Sequence, residues 1–430
     1  MNLQFDFLYN RIMYKSFIVL IVGVFNIACL YAQKTVLATY TGNKNIKSLQ
    51  IFPANSSHFL PVIRLNSDDK VIIKFDNLDI NQSRLRYKLI HCNYDWTASD
   101  LNEIDYIKGF NDNHIDTYKY SVNTNVDYIH YNLELPNRNV GFNISGNYVL
   151  MVYDEYSPKD TLLTARFYVV DQIVGIDGSI TSNTDIGLNL AYQQLSLEIN
   201  HKGITIQNPE RDINLVVFQN KSNHNMAKGI KPSYIYSDRL VYNHNKALIF
   251  EGGNEYRRFE TVNKRTGGLN VDKVEYKRPY INVRLATDEV RSGNMRYYDE
   301  DQNGRYFVRS ESANDNDVES DYFLVHFSLA NNNIKMNRGV DRILLDGEFI
   351  TNDAFLEYDP SNNIYHTSLL LKQGSYNYQY LIEKSNGVKT PSFIEGSYFD
   401  TENSYSIFVY YRFPGSRYDQ LIGFLEISLN

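Results

Sequence analysis

Leu85, Tyr87, Leu89 and His91 fall on one side of an extended chain, and Arg84, Arg86, Lys88 and Ile90 on the other. A two-residue period of this kind belongs to a half-buried β-strand, because successive side chains of a pleated strand point to opposite faces. It recurs in Leu195, Leu197 and Ile199 against Ser196, Glu198 and Asn200, and in Tyr376, Tyr378, Tyr380 and Ile382 against Asn377, Gln379 and Leu381. Tyr405, Ile407, Val409, Tyr411 and Phe413 line one side of a further run. Tyr148–Tyr153, Phe167–Val170 and Tyr322–Leu329 are apolar on both faces and read as central strands. Turn signals separate the runs: Asp154–Lys159, Asp177-Gly178, Asn303-Gly304, Asp346-Gly347 and Asn386-Gly387. Helical periodicity is nearly absent, and one short turn is expected around Ser99–Ile104, with Ser99 as its cap and Glu103 in its first turn. Tyrosine (36) and phenylalanine (23) far outnumber methionine (6), which favours pleated, half-buried surfaces. An all-β chain of packed sandwiches with very little helix is expected.

A length of 430 residues allows two or three such domains, each with its own core. Charged residues at 22% and hydrophobic ones at 43% are ordinary for a globular chain. Val170-Asp171 closes one strand-rich block, a second begins near Gly178, and a third opens around Asp317–Asp321 after the polar run SESANDNDVES. The expected units are 34–171, an N-terminal β-sandwich; 172–315, a middle β-rich domain; and 316–430, a C-terminal β-sandwich.

The first thirty-odd residues read as an address. Arg11 and Lys15 precede an apolar run from Phe17 to Leu30, and Tyr31-Ala32-Gln33 places a small residue where a signal peptidase cuts. The run is shorter than the ~20 apolar residues of a membrane-spanning helix, so residues 1–32 are expected to be a cleaved signal peptide. Met13 serves equally well as the initiator. Cys29 would leave with the signal; as a lipoprotein cysteine it would have a suitable Ala28 before it but an unsuitable Asn26. The mature chain then keeps Cys92 alone and forms no internal disulfide. No second long apolar run follows.

The net charge is −7 with the two signs interspersed, and no Lys/Arg block suits a phosphate backbone, so nucleic acid is not an expected partner. His91, Cys92, His114 and His130 include soft metal ligands, but their spacing matches no zinc pattern, and His91 continues an inward strand face. Asp299-Glu300-Asp301-Gln302-Asn303-Gly304 reads as the first half of a calcium loop. Ser310 stands where the bidentate Glu belongs, Glu311 is one place late, and Tyr306-Phe307-Val308 is strand-like, so an Asn-Gly hairpin turn explains the segment. No GxSxG elbow and no glycine-rich phosphate loop occurs. In Glu251–Glu260 the two glycines suit a turn or bulge, and Arg257 and Arg258 are expected on solvated surface, within reach of a partner carboxylate. The expectation is a non-enzyme with no catalytic, cofactor-binding or metal-binding residues, no cofactor and no small-molecule substrate. The densest run of Tyr, with the only Trp, lies in Tyr87–Tyr131. Stacked tyrosines usually pack a core, whereas exposed ones make contact area at low entropic cost, and part of this set is expected to meet a partner.

That same stretch carries a resemblance. HCNYDWTASDLNEIDYIKGF, SVNT and DYIHYNLELP resemble the plug protein family of the type IX secretion system, and so do SGNYVLMVYD (Ser145–Asp154), EGGNEYRRFE (Glu251–Glu260), ESDYFLVHFSL (Glu319–Leu329), LLKQGSYNYQY (Leu370–Tyr380) and YYRFPGSRYDQLIG (Tyr410–Gly423). The resemblance implies a periplasmic protein, associated with the outer membrane, that closes the periplasmic mouth of a giant outer-membrane β-barrel translocon. It brings no catalytic residues and no defined partner-binding residues. Arg342–Glu383, with RILLDGEF and YHTSLLLKQGSYNYQYLIE, also resembles early-set immunoglobulin-like modules that bind glycogen and starch, so a periplasmic or cell-surface carbohydrate-binding protein is the alternative. That segment has no Trp; Trp96 lies in the first unit. The fold these likenesses imply is a tandem of immunoglobulin-like, early-set β-sandwich domains.

Overall fold

A strand with one apolar side needs a second sheet to cover that side, and the chain meets this need three times over. The computed structural model describes residues 35–56, 60–81, 84–222, 224–293, 301–332, 334–337 and 339–429. The signal segment 1–32 with Met13 and Cys29, and Asp299 and Glu300 of the acidic loop, lie outside the described residues.

The first sandwich pairs two sheets. One runs in the order Tyr40–Thr41, Ser157–Val170, Gly146–Asp154, Leu85–Cys92 and Asn113–His114, with Val62–Arg64 added parallel to Ser157–Val170. The other runs Ile46–Pro53, Val71–Asn77, Ile129–Leu135 and Tyr118–Tyr120. Leu85, Tyr87 and Leu89 meet Val71, Ile73, Phe75 and Tyr131 in the core between them, on the face that the alternation assigns.

The second and third sandwiches are nested. In the second, Gly175–Thr181, Tyr192–Asn200, Arg239–Tyr242 and Tyr234–Ile235 face a sheet of Met226–Lys228, Ile213–Gln219, Ser404–Tyr411 and Gln420–Ser428. The chain leaves this sandwich at Ile249–Glu251, builds the whole third sandwich, and returns at Ser404. The third packs Arg257–Glu260, Gly374–Glu383, Arg342–Asp346 and Ala354–Phe355 against Val271–Lys277, Tyr280–Leu285, Tyr322–Ala330, Ile364–Lys372 and Glu357–Asp359. The expected division at 315/316 therefore does not follow the sheets. Strand Ser404–Tyr411 runs antiparallel to Ile213–Gln219, from Ile213 opposite Tyr411 to Gln219 opposite Tyr405. Partners this far apart in sequence leave no local mark.

Other local expectations are also revised. Asp177-Gly178 is not a turn but lies inside the strand Gly175–Thr181, opposite Glu198 and Leu197. A Cβ on Gly178 would come within 3.0–3.1 Å of Leu197 and Ile427, so the glycine serves a close packing contact. The short helix is Glu103–Tyr106, with the Asp105 carboxylate accepting from the Asn102 N–H at 3.0 Å. Ser99 instead bonds the His91 ring. Two runs read as half-buried are buried on both sides: Ser404–Tyr411 throughout, and Gly374–Glu383 at Asn377, Gln379 and Leu381. Phe413 falls beyond its strand and is exposed.

For Ser404–Tyr411 the reason for the doubled burial is a second apolar layer. Tyr405, Ile407, Val409 and Tyr411 fill the second sandwich's own core, while Phe408 and Tyr410 point the other way, into the first sandwich. There Phe408 stacks on Tyr168 with ring centroids 4.4 Å apart and meets Phe218 and Phe424. Phe408→Ala is expected to destabilise the chain by about 3–5 kcal/mol. Trp96 lies in the same layer. The loss should thus appear as a lower urea midpoint by tryptophan fluorescence, and an unchanged midpoint would contradict the packing described.

Candidate functional site: the junction of the three sandwiches

The most built-up region of the molecule is where the three sandwiches meet, and the two seams that join there differ in chemistry. Between the first and second, Cys92, Trp96, Val149, Tyr168 and Val170 pack against Val216, Phe218, Phe408, Tyr410 and Leu421. Polar stitches close its rim: the Tyr410 hydroxyl donates to Asn147 Oδ1 at 2.8 Å, and Arg412 reaches Asp419 at 2.8 Å and Asn93 Oδ1 at 2.9 Å. Trp96 has φ of +67°, a left-handed conformation that a bulky side chain rarely adopts. Its ring is held between the Arg166 guanidinium at 4.4 Å and the Tyr168 ring at 5.2 Å. Strain tolerated at a large residue marks a position that its surroundings over-determine.

The seam between the first and third sandwiches is charged. Alternation along Val71–Asn77 sends Ile73 and Phe75 into the core and Lys74 and Asp76 outward. His130 stands directly across from Asp76 on Ile129–Leu135. The third sandwich answers with a matching cross-strand pair, Tyr322 and Lys372. Asp76 is fully buried, with Lys372 Nζ, the Tyr322 hydroxyl and His130 Nδ1 each 2.6 Å from its oxygens. Lys372 also donates to the Asp317 carbonyl at 2.6 Å and lies 4.1 Å over the Tyr128 ring. Lys74 meets the Asp317 carboxylate at 2.7 Å, and His130 Nε2 lies 3.6 Å from it. Asp321 accepts from the Asn125 and Val126 amides and pairs with Lys264 at 3.2 Å. Burial pushes the Asp76 carboxyl up, but Lys372 and His130 outweigh it and hold the group below its ordinary value.

The second and third sandwiches are tied by the crossing segments themselves. Gly252 lies so close to the Tyr398 carbonyl that any side chain would collide with it. Gln193 donates to the Phe399 and Thr401 carbonyls at 2.7 and 2.8 Å. Arg257 corrects an expectation. It is not on solvated surface but only 4% exposed, with Glu395 at 3.0 Å and Asp288 at 2.7 Å. Asp288 in turn accepts from the Tyr378 and Tyr380 hydroxyls, both at 2.7 Å. Arg257 thus clamps its own sandwich.

Between the seams lies a cavity of about 730 Å³ lined from all three sandwiches, by Tyr168, Phe218, Lys221, Arg305, Asp346 and Glu348 among others. Lys221, in the left-handed region at φ of +61°, lies 3.6 Å from Glu426. Burial, with Arg305 nearby, pushes its ammonium down to about 8.

The residues singled out from sequence do not converge. His91 is buried, 2.9 Å from the Ser99 hydroxyl and 3.3 Å from the Ser145 carbonyl, and burial pushes it down to about 4, so it is a neutral core histidine. Cys92 packs in the apolar seam, and burial pushes its thiol up to about 12. His114 is on an exposed two-residue strand beside Arg86 and Glu155. His130 belongs to the charged seam. Among the described residues no group of three or more His, Cys, Asp or Glu is arranged to hold a metal. In the acidic loop, Asp301 accepts from the Tyr256 and Asn303 amides, and burial together with Glu255 pushes it up to about 7. Asn303 and Gly304 both have positive φ and lead into the strand Tyr306–Val308, with no helix following. In Arg342–Glu383, Tyr365, Tyr376, Tyr378 and Tyr380 are buried and cannot serve as sugar-stacking platforms; Tyr358 is exposed. The seam residues Lys74, Asp76, Tyr322 and Lys372 were missed, although an Asp and a Lys on the outer face of apolar strands were the signal available.

Residues 46–171 match the family model described as the type 9 secretion system plug protein 1st domain. A crystal structure of a hypothetical protein from Parabacteroides merdae ATCC 43184 is 39% identical and superposes with a TM-score of 0.89, over 92% of this chain and 100% of that one. The chain belongs to the type IX secretion system plug protein family. No curated protein matches it. Membership makes this plug-family chain an envelope-associated component of type IX secretion. No helix among its described residues is long and apolar enough to cross a membrane.

Three measurements test the junction of this plug-family chain. Lys372→Met leaves Asp76 buried without its cation and is expected to cost about 3–5 kcal/mol, while adding Asp76→Asn should recover part of the loss. Because the folded Asp76 carboxyl lies below its unfolded value, its contribution is complete above about pH 4 and is lost as pH falls through the folded value. The thermal midpoint of the wild type should therefore fall more steeply below about pH 4 than that of Asp76→Asn. Separately, Cys92 should resist iodoacetamide in the native chain at about pH 8 and react once the chain is unfolded, read by intact mass.

Proposed function

We propose that this chain is the periplasmic plug of the type IX translocon: a folded, non-catalytic body that closes the periplasmic end of the giant outer-membrane β-barrel. The observation that carries this reading is the match of residues 46–171 to the first domain of the plug family. A wide aqueous channel leaks ions and solutes, so closing it calls for a broad, stiff body more than for a reactive pocket. The build of the junction supports such a body. Three sandwiches are locked by one apolar seam and one charged seam, and the third is held at both ends by the second. Export would use the signal segment 1–32, and residence would be periplasmic, against the outer membrane. The working partner would be the barrel, with no cofactor, nucleic acid or small-molecule substrate.

The test is recovery of the tagged mature chain from detergent-solubilised outer membranes. Near-stoichiometric co-recovery of a very large β-barrel is expected. Cells that keep the barrel but lack this chain should take up large polar solutes faster. Clean recovery of the chain alone from extracts containing the barrel, with unchanged uptake in the deletion, would overturn the reading.

A further inference from the structure

Each sandwich has an apolar core of its own, and a fourth apolar cluster joins the first sandwich to the second. Among the described residues no such cluster joins the first to the third. The core of the third runs from Phe259 to Ile394 and takes no buried apolar residue from either neighbour. What crosses from the third sandwich to the first is polar. Besides the group around Asp76 and Lys372, the Tyr306 hydroxyl donates to the Leu49 carbonyl at 2.9 Å, the Thr41 and Thr351 hydroxyls meet at 3.0 Å, and Lys119 pairs with Asp315 at 2.9 Å. The rings of Tyr128 and Tyr322 touch edge to face at 5.4 Å, and each hydroxyl is bonded across the seam. Toward the second sandwich the third presents the Thr390 hydroxyl to Glu251 at 3.2 Å and Asp346 to His224 at 3.7 Å. Asp346 and His224 both line the large cavity.

Two crossings tether the third sandwich, and they run side by side. The Tyr398 N–H donates to the Gly253 carbonyl at 2.9 Å, and the Glu402 N–H to Glu255 at 3.1 Å. Gly253 and Gly396, one on each crossing, are left-handed, with φ of +67° and +86°. Among the described residues no sheet takes strands from two sandwiches. The third sandwich can therefore turn about this stem without breaking a strand ladder.

From this contrast we infer that the charged seam is a latch: the third sandwich undocks from the first as a folded unit, while the apolar seam keeps the first and second together. Sliding would leave Asp76 buried and unpaired, whereas full departure returns it and Lys372 to water, where hydration offsets the lost attraction. Parting the apolar seam has no such compensation, since Tyr168, Phe218 and Phe408 would be exposed. The latch thus has two positions, docked and free. Asp76 sets the balance between them. It is faced by Lys372 and Tyr322 from the third sandwich and by His130 from the neighbouring strand, and Lys47 stands opposite it on Ile46–Pro53. Lys74 and Asp317 pair beside this group, and burial pushes the nearby Tyr128, Tyr306 and Tyr376 phenols up, so they stay uncharged. Docking holds the Asp76 carboxyl below its ordinary value. The docked position is therefore favoured above about pH 4 and loses that support as the pH falls through the docked value. The inference concerns the chain by itself and does not rest on the plug reading.

The experiment is solution X-ray scattering from the mature full chain, from about pH 7 down to about pH 3, with Trp96 fluorescence read on the same samples. The radius of gyration is expected to rise by about 3 Å as the third sandwich swings out. Trp96 lies in the apolar seam and should keep its native emission through that change. A Thr41→Cys, Thr351→Cys pair, oxidised to a disulfide, should hold the neutral-pH radius throughout and regain the expansion on reduction. Asp76→Asn with Lys372→Met removes both charges and should make the radius independent of pH; should this variant fail to fold, the disulfide pair still decides. A radius that stays constant until the Trp96 emission changes would overturn the latch, because the two seams would then part together. Expansion that persists in the oxidised pair would overturn it as well.

Discussion

Strand Ser404–Tyr411 is buried along both faces, and the arrangement of the whole molecule depends on it. One face completes the second sandwich's core, and the other supplies Phe408 and Tyr410 to the first sandwich. It is also the strand by which the chain returns after building the third sandwich. A single element thus closes one core, forms one seam and ends one insertion. Removing any of these tasks exposes apolar surface in the other two, so the three sandwiches are coupled through ordinary packing. That coupling is the physical content of calling the body stiff.

The two seams divide the work differently. The apolar one contributes stability that scales with buried area and is indifferent to which apolar groups meet, within limits of volume. The charged one contributes less net stability, because Asp76 and Lys372 must both be desolvated. Its demand is geometric: Asp76 needs Lys372, Tyr322 and His130 together, and a shift of the third sandwich along the first would leave a buried carboxylate unpaired. Area joins the first two sandwiches, and charge sets the position of the third.

Where an interaction is local, the sequence was legible. The inward faces Leu85-Tyr87-Leu89 and Leu195-Leu197-Ile199 are where alternation placed them. His91 was readable as a core histidine because it continued an inward face. The nested order of sandwiches was not readable, since Tyr405 opposite Gln219 is a register that only the folded chain defines. Asp177-Gly178 misled because an Asp-Gly pair is a turn signal unless a neighbouring side chain needs the missing Cβ, as Leu197 and Ile427 do. Arg257 misled for a related reason. Its partners Asp288 and Glu395 lie 31 and 138 residues away, and without them an arginine reads as surface.

Many of the tyrosines are consumed inside the sandwiches, where the ring packs and the hydroxyl bonds a backbone carbonyl, an amide side chain or a buried carboxylate. Tyr87, Tyr128, Tyr131, Tyr148, Tyr322, Tyr376, Tyr380, Tyr405 and Tyr410 are among the largest fully buried side chains. A phenylalanine would fill the same space but could not donate to Asp288 as Tyr378 and Tyr380 do, or to Asp76 as Tyr322 does. Burial raises the ionisation of these phenols well above its ordinary value, so they remain donors throughout the physiological range. Tyrosine therefore lets a β-rich chain bury a carboxylate within a sandwich, as at Asp288, or between two, as at Asp76, while keeping aromatic packing beside it.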